Sequence, residues 1–111
     1  DRGYAVRIQA IAKSESNNKC RFWDFQALVA KDAGTVTLVP GYIIHSGALT
    51  GITAGANIAP TMEQGFTWSV NGPNLQISVS GGTLLLKASG DATVDIRVTA
   101  KIDYTMAGID Y

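Results

Sequence analysis

Few side chains in this chain are suited to acid–base, nucleophilic or metal chemistry. His45 is the only histidine and Cys20 the only cysteine, whereas a zinc site needs three or four ligands and a catalytic triad needs a placed serine and acid. Asp24, Asp95 and Asp103 are candidate carboxylates for glycoside hydrolysis, but they alternate with apolar residues as surface charges do. No GxSxG elbow or glycine-rich phosphate loop is present. We therefore predict that the chain is not an enzyme and holds no metal or cofactor.

Aromatic side chains are the remaining groups suited to recognition, because Trp and Tyr stack on sugars and anchor interfaces. Trp68 alternates in step with apolar neighbours, which is typical of a core residue, whereas Trp23 fits either a core or an exposed position. Tyr42 follows a Pro–Gly pair at the start of a strand, and Tyr111 lies at the tail. We expect these two tyrosines to be the exposed aromatics.

Length and charge limit the class of protein. A chain of 111 residues predicts one domain with a real core. Nine Lys and Arg balance nine Asp and Glu, which argues against a nucleic acid or an anionic membrane as partner. The sequence has no run of about eighteen apolar residues, the length that would predict a membrane-spanning helix. Because the chain begins at Asp1 without Met, we interpret residues 1–111 as a processed chain or an excised fragment, and favour the fragment.

Three long segments alternate apolar and polar residues with a period of two, which predicts half-buried antiparallel strands. They are Tyr4–Lys13, Lys19–Lys31 and Thr93–Tyr104. We expect these strands to lie side by side and the first to pair with the last. The charged residues of the last strand are expected to face solvent or a partner subunit.

Shorter apolar runs between turn residues raise the count to about eight strands, with no helix. This pattern favours an all-β, antiparallel, jelly-roll-like β-sandwich. The Gly/Ala/Thr-rich segment 47–65 has no sustained period and reads as a long loop with strand fragments near Ile52 or Ile58. The predicted core comprises Val6, Ile8, Trp68, Ile77, Val79, Ile96 and Val98.

The order of core and turn motifs resembles a small β-sandwich domain that closes many bacteriophage tail fibres and tailspikes. The motifs are FQALVAKDAGTVTLV at 25–39, WSV at 68–70, LQISVSG at 75–81 and IRVTAKI at 96–102. The resemblance implies a homotrimeric virion protein of the phage tail, acting outside the cell. It also implies that residues 1–111 are a single C-terminal domain of a longer fibre protein, which locks three chains together or touches the host surface.

The candidate ligand site is the 47–65 segment, since loops on a rigid scaffold often carry function. Tyr42 would offer an aromatic surface for a host-surface glycan, and Thr53 and Asn57 lie within the segment. The alternative is that this segment only packs along neighbouring subunits. A stand-alone carbohydrate-binding module of the sandwich type is the competing function.

Overall fold

The structure is a computed structural model of the chain, and it describes most of the sequence. The described residues are 2–15, 19–39, 41–45, 48–64, 72–90 and 95–108. The segment FTWSV at 66–70, with Trp68, and the tail residue Tyr111 lie outside these ranges.

The described residues form strands and turns, with no helix. All strand pairs are antiparallel, so the prediction of an all-β, antiparallel chain is confirmed. The described ranges contain nine strands: β1 (Arg2–Ser14), β2 (Cys20–Asp32), β3 (Thr35–Val39), β4 (Gly41–His45), β5 (Ala48–Ile52), β6 (Met62–Gln64), β7 (Asn74–Ser80), β8 (Thr83–Ser89) and β9 (Ile96–Gly108).

The three long strands lie side by side in the largest sheet, as the alternation predicted. Each has 13 residues, and the sheet order is β3-β2-β1-β9, with β6 also paired to β2. The first and last strands do pair, with Ile8 opposite Ile102. A last strand that returns beside the first gives the strand order of a Greek key. The other two sheets are the hairpins β4–β5 and β7–β8.

Two hairpin turns are held against each other at one end of the large sheet. Ala33 and Gly34, between β2 and β3, both have positive φ, of 51° and 82°, as a type I′ turn requires. Val36 N donates to Gly81 O in the β7–β8 turn at 2.8 Å. A Cβ on Gly82 would lie 2.8 Å from Gly34 O, so the two backbones meet only because residue 82 has no side chain.

The core lies on one face of the large sheet. Directly opposed residues of antiparallel strands share a face, and this face carries the apolar side chains of β1, β2 and β3. Side chains from the end of β5, from residue 58 and from β7 pack onto it. The buried set is Val6, Ile8, Ala10, Ala12, Trp23, Phe25, Ala27, Val29, Val36, Leu38, Ile52, Ile58, Leu75 and Ile77.

The predicted core is right in part. Val6, Ile8 and Ile77 are buried, while Val79 and Ile96 are partly buried against the core. The prediction for Val98 is wrong, because its side chain is 37% exposed. Val98 does share the apolar face, opposite buried Ala12, but the layer that covers β1 and β2 does not extend over β9.

Candidate interaction surface

The sequence-predicted site residues lie around one tight turn. Thr53 and Asn57 are exposed, and Ala56 N donates to Thr53 O at 3.2 Å to close the turn between them. The Asn57 side chain is engaged, since its Oδ1 accepts a hydrogen bond from Gln76 Nε2 at 2.7 Å. Tyr42 is a backbone partner of Gly51 in the β4–β5 hairpin, and its side chain lies outside the described part of the structure.

The segment that carries this turn is packed within its own chain. Ile52 and Ile58 on either side of it are buried, as the expected strand fragments near these residues would allow. Gly55 N donates to Ile77 O at 2.7 Å and Ile58 N to Leu75 O at 2.8 Å. The segment is therefore attached to β7 by backbone hydrogen bonds, and residues 53–57, which we call the tip, are exposed to solvent along their outer side.

Three further hydrogen bonds fasten the same segment to β2. The buried indole nitrogen Nε1 of Trp23 donates to Ile58 O at 2.8 Å, which places Trp23 in the core and not on a surface platform. Thr61 N donates to Phe22 O at 2.7 Å, and the Thr61 hydroxyl accepts from Asp24 N at 2.9 Å. Residues 52–61 thus form a strap across the core, which explains why glycine and alanine recur without a strand period.

Four large apolar side chains on β9 are exposed, more than on any other described strand. Val98, Ile102, Tyr104 and Met106 are 37%, 52%, 68% and 47% exposed, although they share the face that β1 buries. Within the described ranges β9 pairs with β1 alone, so no described strand lies along its other edge. Contiguous apolar surface of this kind marks an interaction site in soluble proteins. We call this surface the β9 face.

The opposite side of β9 is charged and balanced. Arg97 Nε lies 3.1 Å from Glu15 Oε1, and Lys101 Nζ lies 3.4 Å from Asp103 Oδ2. These exposed pairs are screened by solvent and contribute little stability. They do keep one side of the strand soluble, so β9 has one face suited to water and one face suited to a partner.

A cleft of about 260 Å³ separates the covered part of the sheet from the β9 face. Leu84 of β8 lines one side, and Ile102 and Tyr104 line the other. The ring of Tyr104 meets that of Tyr4 edge to face, with centroids 6.0 Å apart. Sequence reasoning missed Tyr104 as a surface aromatic, because its alternation with charged residues is the same as that of buried residues.

Of the acids considered for catalysis, Asp24 is held in an ion pair. Arg7 Nε and Nη2 donate to the two carboxylate oxygens of Asp24 at 3.1 and 2.9 Å, and these bonds lower the pKa of Asp24. Cys20 is half-buried at the start of β2. The side chain of His45 falls outside the described ranges. Among the residues that the structure describes, no three His, Cys, Asp or Glu side chains are grouped to hold a metal ion.

The described ranges contain no helix long and apolar enough to cross a membrane. No protein-family model, no curated protein and no solved structure matches this chain. Its function is therefore inferred from its own surfaces, chiefly the β9 face and the tip at 53–57.

Proposed function

We propose that this chain is a terminal domain of a bacteriophage tail fibre or tailspike, which assembles as a homotrimer and contributes to attachment to a host-surface glycan. The order of core and turn motifs along the sequence supports the family. The β9 face supports the assembly, and it is the observation that carries the proposal. In this view the two small sheets form the second layer of a jelly-roll-like sandwich, and the domain acts in the virion, outside the cell.

The β9 face has the length that a fibre subunit needs. A strand of 13 residues spans roughly 40 Å at about 3.3 Å per residue, and the Cα extents are 52 × 28 × 20 Å. Three copies around an axis parallel to the long strands would each bring one β9 face against a neighbour. This arrangement would remove the exposed apolar side chains from water, which is the main favourable term in association.

The mass in solution tests the assembly. We expect about 35 kDa, three times the chain mass of 11.7 kDa, by sedimentation equilibrium at micromolar concentration. Ile102→Lys should lower the mass to that of one chain, because a charge on the β9 face would be buried without a partner. Leu28→Lys is the matched control, since Leu28 is 53% exposed on the other face of the sheet and should leave the trimer intact.

Any measured mass other than that of the trimer would change or contradict the proposed assembly. A monomer for the unmodified chain would contradict assembly through the β9 face. A dimer would replace three-fold packing by pairing of two β9 edges. Loss of the trimer in both lysine variants would mean that the contact is not located on the β9 face.

The tip at 53–57 is the proposed contact with the host glycan. Thr53→Ala with Asn57→Ala removes two exposed polar side chains and only one side-chain hydrogen bond, so the fold should persist. We expect reduced adsorption of the domain to host cells, measured by flow cytometry with the labelled chain. Thr37→Ala on the exposed side of β3 is the control. Equal adsorption of the unmodified domain, the double variant and the control would show that the tip does not contact the glycan.

A stand-alone carbohydrate-binding module is the second candidate function. It is favoured by Tyr104, which is exposed and held edge to face by Tyr4, because such modules present aromatic rings to sugars. A chain that is monomeric and binds glycan through Tyr104 would support this module against the fibre domain.

A further inference from the structure

The cleft beside the β9 face has an apolar floor and apolar walls. Three valines from β1, β2 and β3 form the floor, namely Val6, Val29 and Val36, and all three are buried. Leu84 of β8 forms one wall and Ile102 of β9 forms the opposite wall. The cleft therefore presents to solvent the kind of surface that the rest of this sheet face covers with the second layer.

The volume of the cleft fits one large side chain. An apolar cavity of about 150 Å³ holds a benzene ring, whereas pockets for larger organic ligands enclose about 300–1,000 Å³. At about 260 Å³ the cleft accommodates one aromatic ring with a polar substituent. Gly82 keeps one end of the cleft wide, because a Cβ at this position would lie 2.8 Å from Gly34 O.

Tyr104 is the side chain of a second copy that meets the requirements of this space. It is 68% exposed, the largest fraction among the exposed large apolar residues of the described ranges. Its described ring contact is with the edge of Tyr4 at 6.0 Å, so most of the ring stands clear of its own chain. The ring also carries a hydroxyl, and Lys31 lines the cleft as a hydrogen-bond donor.

The level of Tyr104 along the strands also fits. In the proposed trimer the axis is parallel to the long strands, and rotation about that axis leaves the height of every residue unchanged. The residue that enters a neighbour's cleft must therefore lie at the height of the cleft, and Tyr104 does so because it lines the rim of its own. Val98, six positions away on β9, is displaced along the strand by roughly 20 Å at about 3.3 Å per residue.

We propose that the Tyr104 ring of one subunit inserts into the cleft of the next subunit. Each chain then donates one ring and receives one, and a contact between two different patches closes into a ring of subunits when the rotation closes. Leu84 and the valine floor cover the faces of the inserted ring, and its hydroxyl oxygen accepts a hydrogen bond from Lys31. This contact rests on the trimer proposed above, and it names the residues that meet within it.

Two substitutions test the two sides of the contact. Tyr104→Ala removes the ring and keeps the cleft, whereas Leu84→Trp keeps the ring and fills the cleft. We expect each to raise the concentration at which the trimer dissociates by at least about tenfold, as truncation of a central interface residue does. Tyr104→Phe keeps the ring and should weaken the trimer less than Tyr104→Ala. Sedimentation equilibrium over a range of concentrations measures these changes.

Val98→Ala is the matched control, since Val98 is an exposed apolar residue of the same β9 face at a different level. It should raise the dissociation concentration by less than about threefold. Circular dichroism of each variant checks the fold. If Leu84→Trp does not fold, the comparison of Tyr104→Ala with Val98→Ala decides the question.

A mixture of the two variants separates insertion of a ring from a general loss of apolar surface. The Leu84→Trp chain still offers a ring, and the Tyr104→Ala chain still offers an open cleft, so one complete contact is restored between unlike chains. At a concentration at which each variant alone is monomeric, the mixture should contain a one-to-one complex of about 23 kDa, twice the chain mass of 11.7 kDa.

Four outcomes would overturn the proposal. If the unmodified chain is a trimer and Tyr104→Ala is an equally stable trimer, the insertion is refuted while assembly through the β9 face stands. Equal weakening by Val98→Ala and Tyr104→Ala would mean that the contact extends along the whole β9 face. A mixture without the one-to-one complex would show that ring and cleft do not meet. A monomeric unmodified chain would refute the trimer and the insertion together, and loss of glycan binding in Tyr104→Ala would then assign the ring to a carbohydrate-binding module.

Discussion

Ile8 and Ile102 provide a matched pair for testing which part of the apolar face is covered. They are the same residue type, directly opposite each other on neighbouring strands, and they point to the same face. Ile8 is 1% exposed and Ile102 is 52% exposed. Any difference between Ile8→Ala and Ile102→Ala therefore reports on the layer above them and not on strand propensity.

The expected magnitudes follow from these exposures. Ile8→Ala removes buried carbons and leaves a cavity, so it should lower the free energy of unfolding by about 2–5 kcal/mol. Ile102→Ala removes about three carbons at about 0.8 kcal/mol each when fully buried. Because half of this side chain is already in water and no closed cavity forms, the cost in a single chain should be about 1 kcal/mol.

Urea unfolding at several protein concentrations is the measurement. At concentrations low enough for the single chain, the two variants should differ by at least about 1 kcal/mol. At higher concentrations the cost of Ile102→Ala should grow if the β9 face is a subunit contact, whereas that of Ile8→Ala should grow less. Equal losses in the single chain would refute the conclusion that β9 lies outside the covered part of the sheet.

Three other variants test local features of the fold. Gly82→Ala should destabilise by roughly 1–3 kcal/mol, because its Cβ would meet backbone 2.8 Å away, while Gly90→Ala, with nothing within 4 Å, should be nearly neutral; equal melting temperatures would refute the close approach. Ala33→Gly should stabilise the fold by about 0.5–1 kcal/mol, because the strain of an alanine at positive φ costs more than the extra backbone entropy that glycine loses on folding. A lower melting temperature would contradict this. The pKa of Asp24 is lowered by its hydrogen bonds to Arg7. Its stabilising effect is therefore present above the ordinary aspartate range near 4 and is lost as the pH falls through the lowered value. Asp24→Asn should flatten the acid side of the stability curve in urea unfolding between about pH 2 and 6, and an unchanged curve would show that the pair is without thermodynamic effect.

The candidate sites were predictable only in part from the sequence. The exposure of Thr53 and Asn57 follows from a polar, glycine-containing turn, but the bond between Asn57 and Gln76 joins residues 19 apart that no local pattern relates.

The strands and turns were determined by the sequence itself, because both depend on neighbours along the chain. A period of two places alternate side chains on opposite faces, and this alone predicts β1, β2 and β9. The Pro40–Gly41 pair separates β3 from β4, and Gly81 and Gly82 allow the β7–β8 turn, through backbone sterics that act within a few residues.

Burial was decided by the tertiary structure, because it depends on what lies above each face. Val98 and Ala12 occupy the same row of the sheet, yet Ala12 is fully buried and Val98 is exposed. Alternation identifies the apolar face and carries no information about how far a second layer extends. The second layer consists of the strap 52–61 and the β7–β8 hairpin, and it does not extend over β9. The β9 face is therefore left exposed.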